Sequence, residues 1–221
     1  RVVAQSPGSD RFADPFGRSP QELTELLDRL GLDAPSMHVM PNDIRERPQE
    51  VVDQAAGIGC DYVVCAYLTE ADRGSLEAYR TVAALLDDFG RRCADAGIQL
   101  AYHNHDFEFV AIDGTVPYDL LLQETADERV KMELDLYWIR KAGFEALTYF
   151  EQQPGRFPLV HVKDQGEDGG IVPVGEGSID FRPIFARADQ AGLQHAFVEH
   201  DNPTDPLGSI RTSLKNLRAL R

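Results

Sequence analysis

Ala101-Tyr102-His103-Asn104-His105-Asp106-Phe107-Glu108-Phe109 follows directly on the apolar approach Gly97-Ile98-Gln99-Leu100. It reads as a strand that ends in chemistry. Side chains alternate faces along a strand, so His103 and His105 project to the same side for as long as extended geometry lasts. One strand end cannot complete a metal or acid/base site, and other strands end in the same way. Val130 to Asp135 reads as a strand terminating in Asp135-Leu136-Tyr137-Trp138, with Glu133 sharing a face with Asp135. Leu159 to Asp164 carries His161 and Lys163, and Ala196 to Glu199 leads to Asp201.

Between these strands the pattern is helical. Ser19-Pro20-Gln21-Glu22 combines an N-cap hydroxyl, a proline at the first helical position and an acidic first turn, ahead of an apolar stripe of Leu23, Leu26, Leu27 and Leu30 stopped by Gly31. Further helices are expected over Pro48 to Gly57, Ser75 to Ala96, Pro117 to Glu124, Phe144 to Gln152, Asp180 to Ala191 and Pro206 to Leu220. Further strands are expected over Val2 to Gln5, Ser36 to Met40 and Tyr62 to Leu68, the last a nearly continuous apolar run of the kind buried on both faces. Gln165 to Ser178 reads as a glycine-rich acidic loop, in which Gly175-Glu176-Gly177 permits close passage and Ser178 or Asp180 caps the next helix.

Strand then helix, seven times, with connections too long for hairpins, argues a parallel sheet with helices outside it. A doubly wound sheet concentrates its site at one switch point, whereas a barrel collects residues from many strand ends. Ligating residues at four successive strand ends favour an α/β (β/α)8 TIM barrel, spanning 1–221 as a single domain. Seven strands are one short of closure. Either the first β/α unit is missing from this chain, ahead of Val2, or the barrel is open or completed by something else.

Composition narrows the function. A formal net charge of -15 opposes the counterion release that drives non-specific nucleic-acid binding, so no nucleic-acid partner is expected. No apolar run reaches membrane-spanning length and Arg1-Val2-Val3-Ala4 lacks signal-peptide features, so no membrane partner and a cytoplasmic location are expected. Cys60, Cys65 and Cys93 are an odd number without zinc-like spacing, so buried thiols rather than disulfides are expected. A small neutral or cationic molecule, or an anion held through a metal, fits this surface. A homo-oligomer is compatible with it.

The four strand ends offer imidazoles and carboxylates and no thiolate, a donor set for one divalent ion, among Mn, Zn, Co, Fe and Mg. The plain alternative for any one of them is a helix cap or a rim ion pair; for Lys163 it is a salt bridge to Asp164 or Glu133. Their order, from Tyr102-His103-Asn104-His105-Asp106-Phe107-Glu108-Phe109 through Glu133-Leu134-Asp135-Leu136-Tyr137-Trp138, His161-Val162-Lys163-Asp164 and Gly175-Glu176-Gly177-Ser178-Ile179-Asp180-Phe181 to Val198-Glu199, resembles the xylose isomerase-like TIM-barrel superfamily. Within it the likeness is to sugar phosphate isomerase/epimerase proteins.

That resemblance implies one divalent metal held by Asp135, His161 and Glu199. It also implies a fourth ligand at the position where the family carries a glutamate and this sequence has His103, with His105 and Glu108 as alternatives. A second departure is Trp138, where related ketose epimerases have a histidine three residues after the aspartate. His105 and Glu108 are read as proton-transfer groups and Lys163 as an electrophile toward a substrate oxygen. Tyr102, Asn104, Trp138 and Asp201 are read as substrate-facing, with Trp138 a flat wall for a sugar's C–H face. The expected activity is a sugar isomerase/epimerase that abstracts a proton beside a carbonyl through a metal-stabilised enediolate. The alternatives are a sugar or inosose dehydratase on the same barrel, and a sugar-binding barrel without catalysis.

Overall fold

The computed structural model describes residues 18–220, so the strand expected at Val2 to Gln5 lies outside them. The chain divides into two compact units, residues 18–103 with Ala111–Lys131, and Asn104–Val110 with residues 132–220.

In the first unit three strands, β1 (Ser36–Val39), β2 (Tyr62–Cys65) and β3 (Gln99–His103), pair in parallel in that order. The apolar run at β2 is buried as its composition requires, with Val63, Val64 and Cys65 fully inaccessible. Around the strands lie α1 (Pro20–Leu30), α2 (Pro41–Glu46), α3 (Pro48–Ile58), α4 (Glu70–Arg73), α5 (Leu76–Asp95) and α6 (Pro117–Glu124). Proline opens four of these six, where its missing N–H has no intrahelical partner to lose. The expected start of α1 is realised as a capping box: Ser19 Oγ accepts from Glu22 N, and Glu22 Oε2 accepts from Ser19 N at 2.8 Å.

Helix α2 lies where the sequence pattern predicts only a connection, and Pro48 separates it from α3. Helix α5 buries Tyr79, Val82, Ala83, Leu86, Phe89, Gly90 and Cys93, one face at helical spacing. Gly90 sits at the tightest point of that face, since a Cβ there would lie 2.5 Å from the Arg129 carbonyl oxygen. Gly90→Ala is therefore expected to cost about 1–3 kcal/mol by overpacking, despite alanine's better helix propensity. A urea midpoint no lower than that of the parent chain would contradict this. The three cysteines are buried thiols, as expected, with those of Cys60 and Cys93 pushed up to about 12 by burial, so neither is a thiolate at neutral pH.

In the second unit β4 (Val130–Asp135, which enters the unit at Met132), β5 (Leu159–Val162) and β8 (His195–Val198) are parallel and adjacent in that order. A two-stranded antiparallel hairpin, β6 (Asp164–Gln165) and β7 (Ile171–Val172), occupies part of the segment expected as loop. Five helices complete the unit: α7 (Leu136–Lys141), α8 (Ala146–Gln152), α9 (Phe181–Phe185), α10 (Ala188–Ala191) and α11 (Pro206–Ala219).

One expectation holds here and one changes. β4 ends at Asp135, as expected, and Asp135 Oδ1 accepts from the backbone N–H groups of Tyr137 and Trp138, both at 2.9 Å, and so starts α7. The helix expected over Asp180 to Ala191 is two helices, broken where Arg187 leaves helical geometry at φ -105° and ψ 16°. Asp180 does cap α9, accepting from Arg182 N.

The glycine-rich segment is organised around one buried carboxylate. Asp164 is fully buried and accepts from four backbone N–H groups: Gln165 (2.9 Å) and Ile179 (3.1 Å) on Oδ1, Gly175 (2.8 Å) and Gly177 (3.0 Å) on Oδ2. Close passage is why glycine stands at 177, where a Cβ would lie 2.3 Å from Asp164 Oδ1. The segment is tied further by Ser213 Oγ accepting from Val174 N and by Tyr137 donating its hydroxyl to the Gly169 carbonyl. Among the described residues no helix is long and apolar enough to cross a membrane.

Candidate metal centre

Strand register builds the site. Asp135 on β4 is the direct neighbour of His161 on β5, and His161 in turn neighbours Phe197 on β8, two residues before Glu199. Alternation puts Glu133 with Asp135 on one face, and His161 with Lys163. Glu199 is positioned just past the strand, its N–H donating to the Val162 carbonyl at 3.2 Å.

The side chains meet around the His161 imidazole, which is buried. Its Nδ1 lies 2.7 Å from Glu199 Oε2 and 3.7 Å from Asp135 Oδ2, and its Nε2 lies 3.2 Å from Glu133 Oε2. The Glu199 contact is a close approach of charges rather than an in-line hydrogen bond. Asp135 divides its labour: Oδ1 caps α7 while Oδ2 faces the imidazole. Asn104, fully buried, holds the backbone of Asp135, its Oδ1 accepting from Asp135 N at 3.0 Å.

Lys163 reaches the same oxygens. Its Nζ is 3.1 Å from Asp135 Oδ2, 2.8 Å from Glu199 Oε2 and 3.1 Å from Asp201 Oδ2, instead of the expected alternatives Asp164 and Glu133. Asp164 is committed to the backbone of the glycine-rich segment and points elsewhere.

Charge decides the protonation states. Burial alone would lower the His161 pKa, but the Glu133 charge and contacts with Asp135, Glu133 and Glu199 outweigh it and raise the pKa well above its ordinary value. Burial would likewise neutralise Lys163, yet Asp135, Glu199 and Asp201 raise its pKa and keep it an ammonium. For Glu199 burial pushes upward and loses to His161 and Lys163, which hold the carboxyl well below the usual carboxylate range.

A divalent cation fits these residues. Glu133, Asp135, Glu199 and Asp201 supply four negative charges against Lys163 and one imidazole, so the metal-free cluster is short of positive charge. The donors are nitrogen and oxygen only. With Glu133 accepting from Nε2–H, Nδ1 is the nitrogen turned toward Asp135 and Glu199; it would give up its proton to ligate an ion, with Glu133 orienting the ring from the other side. Asp135, His161 and Glu199 are the residues of this unit that would hold the ion.

The remaining expected residues are placed as follows. Trp138 lies at the start of α7 with its ring centre 4.4 Å from Lys141 Nζ, 5.9 Å from Lys163 Nζ and 5.4 Å from the His105 ring. Lys141 itself pairs with Asp106 at 3.0 Å. His105 stacks on Phe107 with planes 4° apart. Glu108, fully buried, lies in a 3₁₀ turn (Phe107–Phe109) and closes it by accepting from His105 N at 2.8 Å. His103 and Tyr102 belong to the first unit. There Tyr102 is fully buried, and His103 has Nδ1 3.2 Å from the Ala66 carbonyl and its ring 5.7 Å from that of His38.

Sequence reasoning passed over Glu133 and Asp164 as functional or organising residues. For Glu133 the signal was present in its position two residues before Asp135; for Asp164 it was an acid directly before a glycine-rich run.

Parallel β/α units that gather acids and an imidazole at successive strand ends define the TIM-barrel class. Residues 3–220 match the family described as xylose isomerase-like TIM barrel, and the chain belongs to that family. It is similar to an inosose dehydratase of Geobacillus thermodenitrificans, 28% identical over 131 residues, which cover 51% of this chain and 43% of that protein. The chain thus spans less than half the length of the curated relatives it matches. Among solved structures it resembles a sugar phosphate isomerase/epimerase from Parabacteroides distasonis, with a TM-score of 0.80 and 24% identity, covering 91% of this chain and 76% of that one. It also resembles the IOLI protein with a bound zinc atom, with a TM-score of 0.72 and 16% identity over 92% of this chain and 81% of that one. At these identities both structures bear on the fold, which is that of a TIM barrel.

Proposed function

We propose that the chain is a divalent-metal-dependent isomerase or epimerase of a small sugar or cyclitol, working by removal of a proton beside a carbonyl. The observation that carries this reading is the convergence of Asp135 Oδ2 and Glu199 Oε2 on His161 Nδ1 at neighbouring strand ends, with Glu133 on the opposite ring nitrogen. A metal bound there supplies a Lewis acid toward substrate oxygens, which acidifies the intervening C–H.

The chain's own groups do the rest. Lys163, held protonated, donates to a substrate oxygen as negative charge grows on it. His105, which stacks on Phe107 and has its ring centre 5.4 Å from that of Trp138, is the candidate to take and return a proton, and Glu108 fixes the backbone of that turn. Trp138 offers its indole as the apolar wall along which a sugar ring is oriented. Asn104 and Asp201 serve through Asp135 and Lys163.

A second reading, dehydration, is favoured by the similarity to inosose dehydratases. It needs the same first proton removal, followed by loss of a β-hydroxyl. Metal analysis coupled to a screen of ketoses, inososes and 3-keto-sugars tests both. Turnover that disappears with chelator and leaves the substrate mass unchanged supports isomerisation, and loss of water supports dehydration. A metal-free chain whose behaviour chelator does not alter would sink both and leave a sugar-binding barrel.

A further inference from the structure

Lys163 stands where a cation belongs. The two oxygens nearest its ammonium, Asp135 Oδ2 and Glu199 Oε2, are the same two that face His161 Nδ1. A third contact, to Asp201 Oδ2, leads away from that pair to a side chain that is 36% exposed. The lysine head rides on a flexible four-carbon stem, so it can shift between acceptors without backbone movement.

We propose that Lys163 is an internal competitor for the metal's carboxylates, bridging Asp135 and Glu199 in the metal-free chain and displaced toward Asp201 when a divalent cation binds. The inference rests on Asp135, His161 and Glu199 being the metal's ligands. It gives Asp201 a task that its half-exposed position otherwise leaves open, as the acceptor that receives the displaced ammonium. In a metal-free chain the lysine would neutralise carboxylate oxygens that otherwise repel one another.

The sign of the effect follows from charge. An ammonium on both ligand oxygens repels an incoming cation and must give up those contacts, so Lys163 lowers metal affinity and Asp201 offsets part of the loss. Titration of Mn²⁺ into the chelator-stripped chain measures this directly. Lys163→Met is expected to tighten binding by roughly tenfold to a hundredfold. Asp201→Asn is expected to weaken it by roughly threefold in the parent and to change nothing in the Lys163→Met background, because Asp201 acts through the lysine. Lys141→Met removes a nearby ammonium that is paired with Asp106 and touches neither ligand, and is expected to leave affinity unchanged.

Unchanged or weaker binding by Lys163→Met overturns the proposal, as does an Asp201→Asn effect of equal size in both backgrounds. Should the methionine variant lack the parent's circular dichroism, Lys163→Gln takes its place with the same expected sign. If the parent chain takes up no Mn²⁺ or Zn²⁺, the ligand assignment itself fails. That outcome is distinct from a bound metal indifferent to Lys163.

Discussion

Replacing His161 or Asp135 with alanine is expected to remove bound metal and turnover together, activity falling on the order of 10³-fold as several kcal/mol of Lewis-acid stabilisation is lost. The two variants should agree because their side chains approach one point from neighbouring strands, with Asp135 and His161 in register. They should differ in the fold. His161→Ala removes an imidazole alone, whereas Asp135→Ala also strips the cap from α7 and leaves the Tyr137 and Trp138 N–H groups without their acceptor. That cap is worth about 1 kcal/mol, so Asp135→Ala should also melt earlier. Asp135→Asn separates the two roles, since an amide oxygen can still cap the helix while the negative charge is gone. Glu133→Gln belongs in the same series, with affinity for the ion expected to fall roughly tenfold to a hundredfold as the imidazole loses its charged orienting partner. Full metal occupancy in either alanine variant, measured by elemental analysis after gel filtration, would show that the ligands had been misassigned.

Asp164→Ala is expected to be the most destabilising single substitution in the second unit. Four backbone donors lose a charged acceptor in a buried place, and the glycines that let the chain come so close leave no side chain to fill the gap. The loss is about 3–5 kcal/mol, roughly 6–20 °C in Tm for a chain of this size. Asp164→Asn should fall between, because one oxygen remains to accept while an NH₂ group is turned toward two N–H donors. Gly177→Ala should damage the same place from the other side, its Cβ colliding with Asp164 Oδ1. Thermal melts of the three variants test the account. A shift of a degree or two for Asp164→Ala would mean that water replaces the carboxylate without penalty.

Elements with a simple period are legible in the amino-acid sequence itself. β2 is a run of apolar residues, α5 an amphipathic stripe between a serine cap and a glycine, and α6 a proline-started helix whose expected bounds, Pro117 to Glu124, are those observed. What escapes is decided by single polar side chains. Asp135 ends β4 where the sequence suggests, but no periodicity announces that one of its oxygens will cap α7 while the other faces His161. Asp164 folds an apparently unstructured run into a strap with a hairpin, through contacts reaching to Ile179. In the cluster, alternation on β4 and β5 indicates which side chains share a face. It cannot indicate that Lys163 chooses Asp135, Glu199 and Asp201 over Asp164 and Glu133, because that choice depends on strand order and on which oxygens are already taken.

Trp138 is the only tryptophan in the chain. Its amide hangs from one oxygen of Asp135, and its ring lies within 5.9 Å of the Lys163 ammonium and 4.4 Å of that of Lys141. Indole emission responds to the charges beside the ring, so the protein carries an optical probe beside both ammonium groups. The proposed ion uptake, ammonium displacement and sugar docking can each be tested by fluorescence in real time on the unlabelled chain, with no other indole to dilute the signal.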